Sequence, residues 1–162
     1  MSIRMVTPKQ AIDELFTKSA KITYDRIQYN LNYLGLLCIR RIRDRSGEES
    51  WYDRTGNLRS SIGYAIYSQG QKKIESAFDS VLGGAKGSQE GRKMVAELAS
   101  QYSSTYALVV VAAMEYAEFV EAIESKDVLA STEIYAKSEV NKYMDKAIKE
   151  AEKEIQKLEA KL

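Results

Sequence analysis

The chain has 162 residues, a length typical of one domain, and 44% of them are hydrophobic, which is enough for a core. With 24 basic and 23 acidic residues the charge is nearly balanced, which argues against a dedicated nucleic-acid binder, because such proteins rely on clustered positive charge. Histidine is absent and there is one cysteine, so Ser-His-Asp or Cys-His catalysis, a histidine-containing zinc site and an intrachain disulfide are excluded.

The lone cysteine, Cys38, lies in the apolar run Leu36-Leu37-Cys38-Ile39. We expect it to be a small buried hydrophobic residue, and a free thiol favours synthesis in the reducing cytoplasm. No apolar run is long enough for a membrane-spanning helix, and the first residues lack the apolar segment of a signal peptide, so no membrane association or export is expected.

The first predicted element is a long helix over residues 8 to 45. Thr7 can act as its N-cap, Pro8 suits the first helical position, and Gln10 completes a capping-box pattern. The helix ends in the basic run 40–45, where cations complement the helix dipole. Its apolar stripe at helical spacing consists of Ile12, Leu15, Phe16, Ile27, Leu31, Leu34, Cys38 and Ile42.

The middle of the chain predicts a β-hairpin. Residues 55–61 indicate a turn or one short helical turn, and residues 62–68 alternate as a strand does. Gly70 marks the hairpin turn, and residues 73–81 are the expected return strand. Residues 83–88 are glycine-rich and predict a flexible loop, which leads to a short helix over 89–101.

The last third predicts a strand followed by helices. Residues 106–113 form the most hydrophobic stretch and are rich in β-branched side chains, which favours a central strand. Residues 114–122 indicate a short helix and residues 127–130 a short strand. A long helix over 132–161, capped by Ser131 or Thr132, should close the chain. Its apolar stripe is Val140, Met144, Ala147, Ala151, Ile155, Leu158 and Leu162.

None of the motifs predicts a catalytic, cofactor-binding or metal-binding residue. Residues 83–88 contain Lys86-Gly87-Ser88, whereas a phosphate-binding loop requires Gly-Lys-Ser/Thr in that order. Four glutamates recur at every third position, but no calcium-binding loop surrounds them, so an exposed acidic helix face is the simpler interpretation. These glutamates are Glu115, Glu118, Glu121 and Glu124.

Two segments resemble a known family. The first is Thr55-Gly56-Asn57-Leu58-Arg59-Ser60-Ser61-Ile62, which looks like the Thr-Gly-x-Leu-Arg-x-Ser-Ile signature of head–tail joining, or tail-component, proteins of long-tailed bacteriophages. The second is Met114-Glu115-Tyr116-Ala117-Glu118-Phe119-Val120-Glu121, which is similar to that family's later Tyr-Ala-x-Tyr/Phe-Val-Glu segment. The positions that carry the match are Thr55, Gly56, Leu58, Arg59, Ser61, Ile62, Tyr116, Ala117, Val120 and Glu121.

The signature also has a physical interpretation. Gly56 permits a backbone turn that a side chain would hinder, and Leu58 and Ile62 lie four residues apart, so both can pack into the core. Arg59 then points elsewhere, available to a carboxylate on this or a neighbouring subunit. An ordinary corner between a helix and a strand would explain the same residues.

The expected fold is α+β: a long N-terminal helix, a small antiparallel β-sheet and a long C-terminal helix, in one domain over residues 1–162. The resemblance implies a non-enzymatic virion protein that forms a homo-oligomeric ring at the head–tail junction, next to the connector and tail proteins. Genome DNA would pass through its channel without sequence-specific binding. The subunit-interface candidates are Arg59, Glu115, Tyr116, Glu118, Phe119 and Glu121.

The chain departs from the family after the second segment. Family members often continue with Gly or Gly-Thr and an Arg-Pro-Phe segment, whereas residues 122–129 contain neither glycine nor proline. This leaves neck, tail-completion and tail-terminator proteins open as subtypes. The alternative to the family interpretation is a helical oligomeric adaptor or regulator that contacts DNA through the basic end of its first helix, Arg40–Arg45.

Overall fold

The computed structural model describes residues 8–45, 51–102, 106–123 and 126–160. It confirms the expected α+β fold, with a long helix near each end of the chain and a small antiparallel sheet between them. The elements, in chain order, are α1 (Lys9–Arg43), α2 (Asn57–Ser61), β1 (Ile62–Ser68), β2 (Gln71–Glu75), α3 (Ala85–Glu97), a 3₁₀ turn (Leu98–Gln101), β3 (Tyr106–Ala112), α4 (Ala117–Ile123) and α5 (Ala130–Glu159).

The sheet has three strands in the order β2-β1-β3, and both pairings are antiparallel. Every residue of β1 is buried, because α1 packs on one face of the strand and α3 packs on the other. The prediction that residues 106–113 form the central strand is therefore wrong: β3 is an edge strand, and most of its residues are half-buried. Hydrophobicity indicated that both faces of β3 are covered, but it carries no information about which strand has two neighbours.

The hairpin is confirmed, but its second strand is shorter and begins earlier than the predicted 73–81. Gln69 and Gly70 both have positive φ, of 53° and 73°, and form a tight turn that starts β2 at Gln71. After Glu75 the chain leaves the sheet, because Phe78 turns inward and is buried between β1 and α3.

The sequence predicts a flexible loop over residues 83–88, yet α3 begins inside this segment, at Ala85. Gly87 faces the backbone of Asn57, and a Cβ on Gly87 would overlap the Asn57 carbonyl group. Gly91 likewise leaves room for the ring of Phe78. These two glycines therefore permit close helix packing, which a sequence rich in glycine does not distinguish from flexibility.

The start of α5 also differs from the prediction. Residues 127–130 do not form a strand; Val128 is fully buried, and α5 already begins at Ala130. Ser131 and Thr132 do not cap the helix. Instead, carboxylate oxygens of Glu121 and Asp127 accept hydrogen bonds from the first backbone N–H groups of α5, as described below.

Helix α1 is confirmed nearly to the residue, although Pro8 occupies the N-cap position and Thr7 lies outside the described residues. Leu31, Leu34, Cys38 and Ile42 of its stripe are buried. Phe16 was expected in the same stripe but is 71% exposed, because α1 extends beyond the elements that cover its later turns.

Helices α1 and α5 lie antiparallel and pack along most of their lengths. Arg26 forms an ion pair with Glu154, and the Asn30 side-chain amide donates a hydrogen bond to Glu150 at 3.0 Å. Gly35 lets α1 approach the sheet, since a Cβ there would lie 2.6 Å from the ring of Tyr64.

None of the helices in the described ranges combines the length and the apolar content that crossing a bilayer requires.

The α5 stripe faces the core as far as Ala151. Ile155 and Leu158 are half-buried and belong neither to the apolar cluster around Leu31 and Ile62 nor to the one around Phe78 and Val95. Ala147 and Ala151 are buried, Val140 and Met144 are half-buried against the larger apolar cluster, and Leu162 lies outside the described residues.

We therefore expect Met144→Asp to lower the free energy of unfolding by about 2 kcal/mol or more, because it places a carboxylate against apolar side chains. Ile134→Asp is the matched control on the same helix, since Ile134 is 71% exposed, and it should change stability by less than about 0.5 kcal/mol. Urea denaturation of both variants measures the difference. Equal stabilities would show that Met144 does not face the core.

Candidate functional site

The two segments that carry the family resemblance meet at one corner of the sheet. The first segment forms α2 and the start of β1, and the second follows β3 and enters α4. Ile62 pairs with Ala112 at the end of the sheet, and the Ala113 backbone N–H donates a hydrogen bond to the Ser61 carbonyl oxygen at 3.4 Å. Burial raises the pKa of the Tyr116 phenol, and hydrogen bonds from the Thr55 side chain and the Leu58 backbone lower it in part.

Gly56 fixes the conformation of this corner. It is buried and has a φ of +70°, and a Cβ at this position would overlap the Val81 carbonyl oxygen. Next to it, the Val81 backbone N–H donates a hydrogen bond to the Ser60 hydroxyl at 2.8 Å. The turn predicted at Gly56 is therefore confirmed. It packs against Val81, which lies in the segment that leads into α3.

The apolar positions of both segments lie in the core. Leu58 and Ile62 are buried, as their spacing predicted, and Ala117 is buried beside them. Val120 is half-buried against the same cluster. These matches to the family therefore stabilise the corner itself.

Arg59 lies inside the corner and contacts its own subunit. Its Nε is 3.6 Å from Asp53 Oδ2, and its guanidinium donates a hydrogen bond to the Arg43 carbonyl oxygen and stacks over the Trp51 ring at 5.5 Å. The Asp53 side chain is only 6% exposed, so this carboxylate depends on Arg59 for a counter-charge. The carboxylate expected near Arg59 thus belongs to the same subunit.

Arg43 joins α1 to the same corner. Its guanidinium donates a hydrogen bond to the Ile62 carbonyl oxygen at 2.7 Å. Burial lowers the pKa of Arg43, while the Asp79 carboxylate raises it and the nearby Arg59 lowers it further. Two arginines therefore hold backbone carbonyl groups where α1, α2 and β1 converge.

Glu121 also has an internal role. Its Oε1 accepts hydrogen bonds from the backbone N–H groups of Leu129, at 3.3 Å, and Ala130, at 2.8 Å, so it caps the N-terminus of α5.

The remaining interface candidates form an exposed surface, with Phe119 67% and Tyr116 40% exposed. We call this surface the α4 patch; it consists of Glu115, Tyr116, Glu118 and Phe119. Glu124 lies outside the described residues.

A second polar cluster, which the sequence did not indicate, links the end of α1 to the start of α5. The Arg45 side chain is 9% exposed, lies 2.9 Å from Asp127 Oδ2 and donates hydrogen bonds to the Ser131 and Thr132 hydroxyls. Of the basic run, Arg43 and Arg45 thus point inward. Arg40 pairs with Asp44 at 3.3 Å, and Arg41 lies over the Tyr135 ring.

Asp127 titrates under three influences. Burial raises its pKa, but hydrogen bonds from the Ser131 side chain and backbone and the contact with Arg45 outweigh burial, so the pKa lies below its ordinary value.

An apolar groove of about 580 Å³ opens between α1, α5 and the edge strand β3. Its walls come from elements far apart in the chain, which is why sequence patterns did not indicate it. Its apolar lining includes Leu31, Leu34, Leu108, Val110, Val140 and Met144.

The described residues contain no group of three or more side chains that could hold a metal ion. Cys38 is fully buried, and burial raises its pKa to about 11, so its thiol stays protonated near neutral pH. The prediction that Cys38 is a buried hydrophobic residue is confirmed.

Comparison of the chain with protein-family models, with curated proteins and with solved structures gave no match.

We expect Gly56→Ala to destabilise the protein much more than Gly83→Ala. Both glycines have positive φ, so either alanine carries a conformational cost of about 1–2 kcal/mol. A Cβ at Gly83 meets open space, whereas at Gly56 it displaces the Val81 backbone. Urea denaturation of the two variants gives their free energies of unfolding, and the difference between them reports the overlap with the Val81 backbone. Equal losses of stability would contradict the prediction.

We also expect Asp127 to stabilise the fold in a pH-dependent manner. Because its folded-state pKa is lowered, its contribution is fully present above the unfolded-state pKa of about 3.9 and is lost as the pH falls through the folded-state value. The difference in unfolding free energy between wild type and Asp127→Asn should therefore shrink between about pH 6 and about pH 2. A difference that is constant over this range would contradict the assignment.

Proposed function

We propose that this chain is a structural, non-enzymatic subunit of a tailed-phage or prophage particle, located at the head–tail junction. Copies would form a ring between the connector and the tail, through which genome DNA passes without sequence-specific binding. The proposal covers neck, tail-completion and tail-terminator proteins alike, and it places synthesis in the host cytoplasm.

One observation carries the proposal. The two segments that resemble the family lie about 50 residues apart in the chain, yet they converge on one corner of the sheet. Six of the ten matching positions have clear roles there: Gly56 makes the turn, Leu58, Ile62 and Ala117 fill the core, Arg59 binds Asp53, and Glu121 caps α5. Two chance octapeptide matches would not be expected to form one structural unit, which supports the resemblance.

The α4 patch is the surface that we propose for contacts in the particle. It combines two glutamates with exposed aromatic side chains, and aromatic residues are enriched at protein interfaces. Arg59 and Glu121 remain candidates by the resemblance, but their internal contacts favour a role in holding this surface in place.

The alternative is an adaptor or regulator that touches DNA through Arg40–Arg45. The geometry counts against it, because phosphate contacts need accessible cations. Arg43 and Arg45 donate to groups within the fold, so two of the four arginines of the run, Arg40 in an exposed pair with Asp44 and Arg41, remain accessible. Arg41 is exposed and lies over the Tyr135 ring.

Disruption of the gene in its phage or prophage should yield DNA-filled heads and separate tails, and the wild-type chain supplied in trans should restore joined particles. Phe119→Asp should leave the melting temperature unchanged, since Phe119 is exposed, and should fail to restore joining. Leu82→Asp is the matched control, because Leu82 is 75% exposed and lies outside the α4 patch, so it should restore joining. Electron microscopy of lysates measures both outcomes. Normal particles from the disrupted gene would overturn the proposed function, and full rescue by Phe119→Asp would overturn the role of the patch.

A further inference from the structure

We propose that the N-terminal end of α1 from one copy of this chain docks into the apolar groove of a second copy. The docking segment is the stripe Ile12, Leu15 and Phe16, and the receiving surface is the groove between α1, α5 and β3. This inference names a contact within the proposed ring. It rests on the proposed function in one respect, that copies of the chain associate.

The first observation is that α1 is longer than the structure it packs against. The pairs Arg26–Glu154 and Asn30–Glu150 set the antiparallel register of α1 and α5. In this register the described end of α5 lies beside the turn of α1 near residue 21. The preceding residues, 9–20, therefore extend about 18 Å beyond α5, at about 1.5 Å per residue.

The second observation is that this extension keeps the apolar side of the helix. Phe16 and Leu34 are 18 residues apart, which is about five turns of 3.6 residues, so both lie on the same side of α1. Leu34 is fully buried, whereas Phe16 is 71% exposed. Ile12 and Leu15 are half-buried. None of the three stripe residues belongs to the apolar cluster around Leu31 and Ile62 or to the one around Phe78 and Val95.

The groove suits a helix of this kind. An amphipathic helix that binds a groove presents apolar anchors at positions i, i+3 and i+4, which is the spacing of Ile12, Leu15 and Phe16. The groove volume of about 580 Å³ is large enough for several side chains, and its lining is mostly apolar. At its rim, Glu133 and Lys137 form an ion pair, and the stripe is flanked by two acidic and two basic residues, so no net charge opposes contact.

The occupant must come from a second copy. Phe16 and Leu31 are separated by 15 residues of continuous helix, or about 22 Å, so the stripe cannot reach the groove of its own chain. Because the stripe and the groove are different surfaces, the contact is head-to-tail. Repeated contacts of this type close into a ring when the rotation between copies permits.

Site-specific cross-linking tests the contact. Cys38 is fully buried, so an introduced cysteine is the reactive thiol in each variant. Ala20→Cys chains mixed with Ala136→Cys chains and treated with a short bismaleimide should give mixed cross-linked dimers. Ala20 is exposed one turn after Phe16 on the same side of α1, so the stripe stays intact, and Ala136 lines the groove. The matched control pair is Lys18→Cys with Ser138→Cys, which lie on the opposite sides of the two helices and should cross-link at least tenfold less.

The oligomeric state of charge variants, measured without cross-linking, provides a second test. Phe16→Asp and Ala136→Arg chains should each remain monomeric at concentrations where wild type forms larger species. An equimolar mixture of these two variants should stop at dimers, because one intact stripe and one intact groove remain. Loss of the exposed Phe16 contact should weaken association about tenfold or more while the melting temperature stays unchanged.

Two results would overturn the inference. One is a mixed cross-link no stronger than that of the control pair. The other is a Val109→Cys chain that cross-links to itself more than the mixed pair does, since this would indicate that the open edge of β3 pairs with a second β3. Both measurements use purified chains alone, so their failure leaves the proposed virion function standing. Failure of head–tail joining with normal cross-linking would count against that function and not against the contact.

Discussion

The structure depends on the burial of β1 between two helical layers. A strand covered on both faces requires close approach from each side, and glycines supply it: Gly35 on α1 receives the ring of Tyr64, and Gly63 and Gly91 enclose the ring of Phe78. The helices can then bury every residue of β1, and the remaining elements pack around this layer. Since β1 begins at the end of α2, the corner at Gly56 sets the position of the central strand.

The residues of the first segment fix the local structure of the corner and leave the partner open. Gly56, Leu58 and Ile62 are needed for the turn and the core, and Arg59 neutralises a buried carboxylate. Substitutions at such positions are expected to destabilise this fold. Tyr116 of the α4 patch also has hydrogen-bond partners in its own subunit, whereas Phe119 is 67% exposed and can contact a neighbour in the proposed particle.

Two ion-pair clusters fasten the long helices at different points. Arg26 and Glu154 join the middle of α1 to the end of α5, and Arg45 and Asp127 join the end of α1 to the start of α5. The first turns of α1 precede both ion pairs and carry an exposed apolar side chain, Phe16. A rigid body with a projecting apolar helix and a separate apolar groove has the two unlike surfaces that a head-to-tail ring requires.

The sequence by itself determined the fold class, both long helices, the hairpin, the turn at Gly56 and the burial of Leu58, Ile62 and Cys38. These features follow from periodicity and turn chemistry, which act over a few neighbouring residues. Only the tertiary structure decided that β3 lies at the edge, that α3 begins among glycines, and that Arg45 and Arg59 point inward. The partner of Arg45 is 82 residues away, at Asp127, and no local pattern records such a contact. The groove arises in the same way, because its walls meet only after the helices have packed on the sheet.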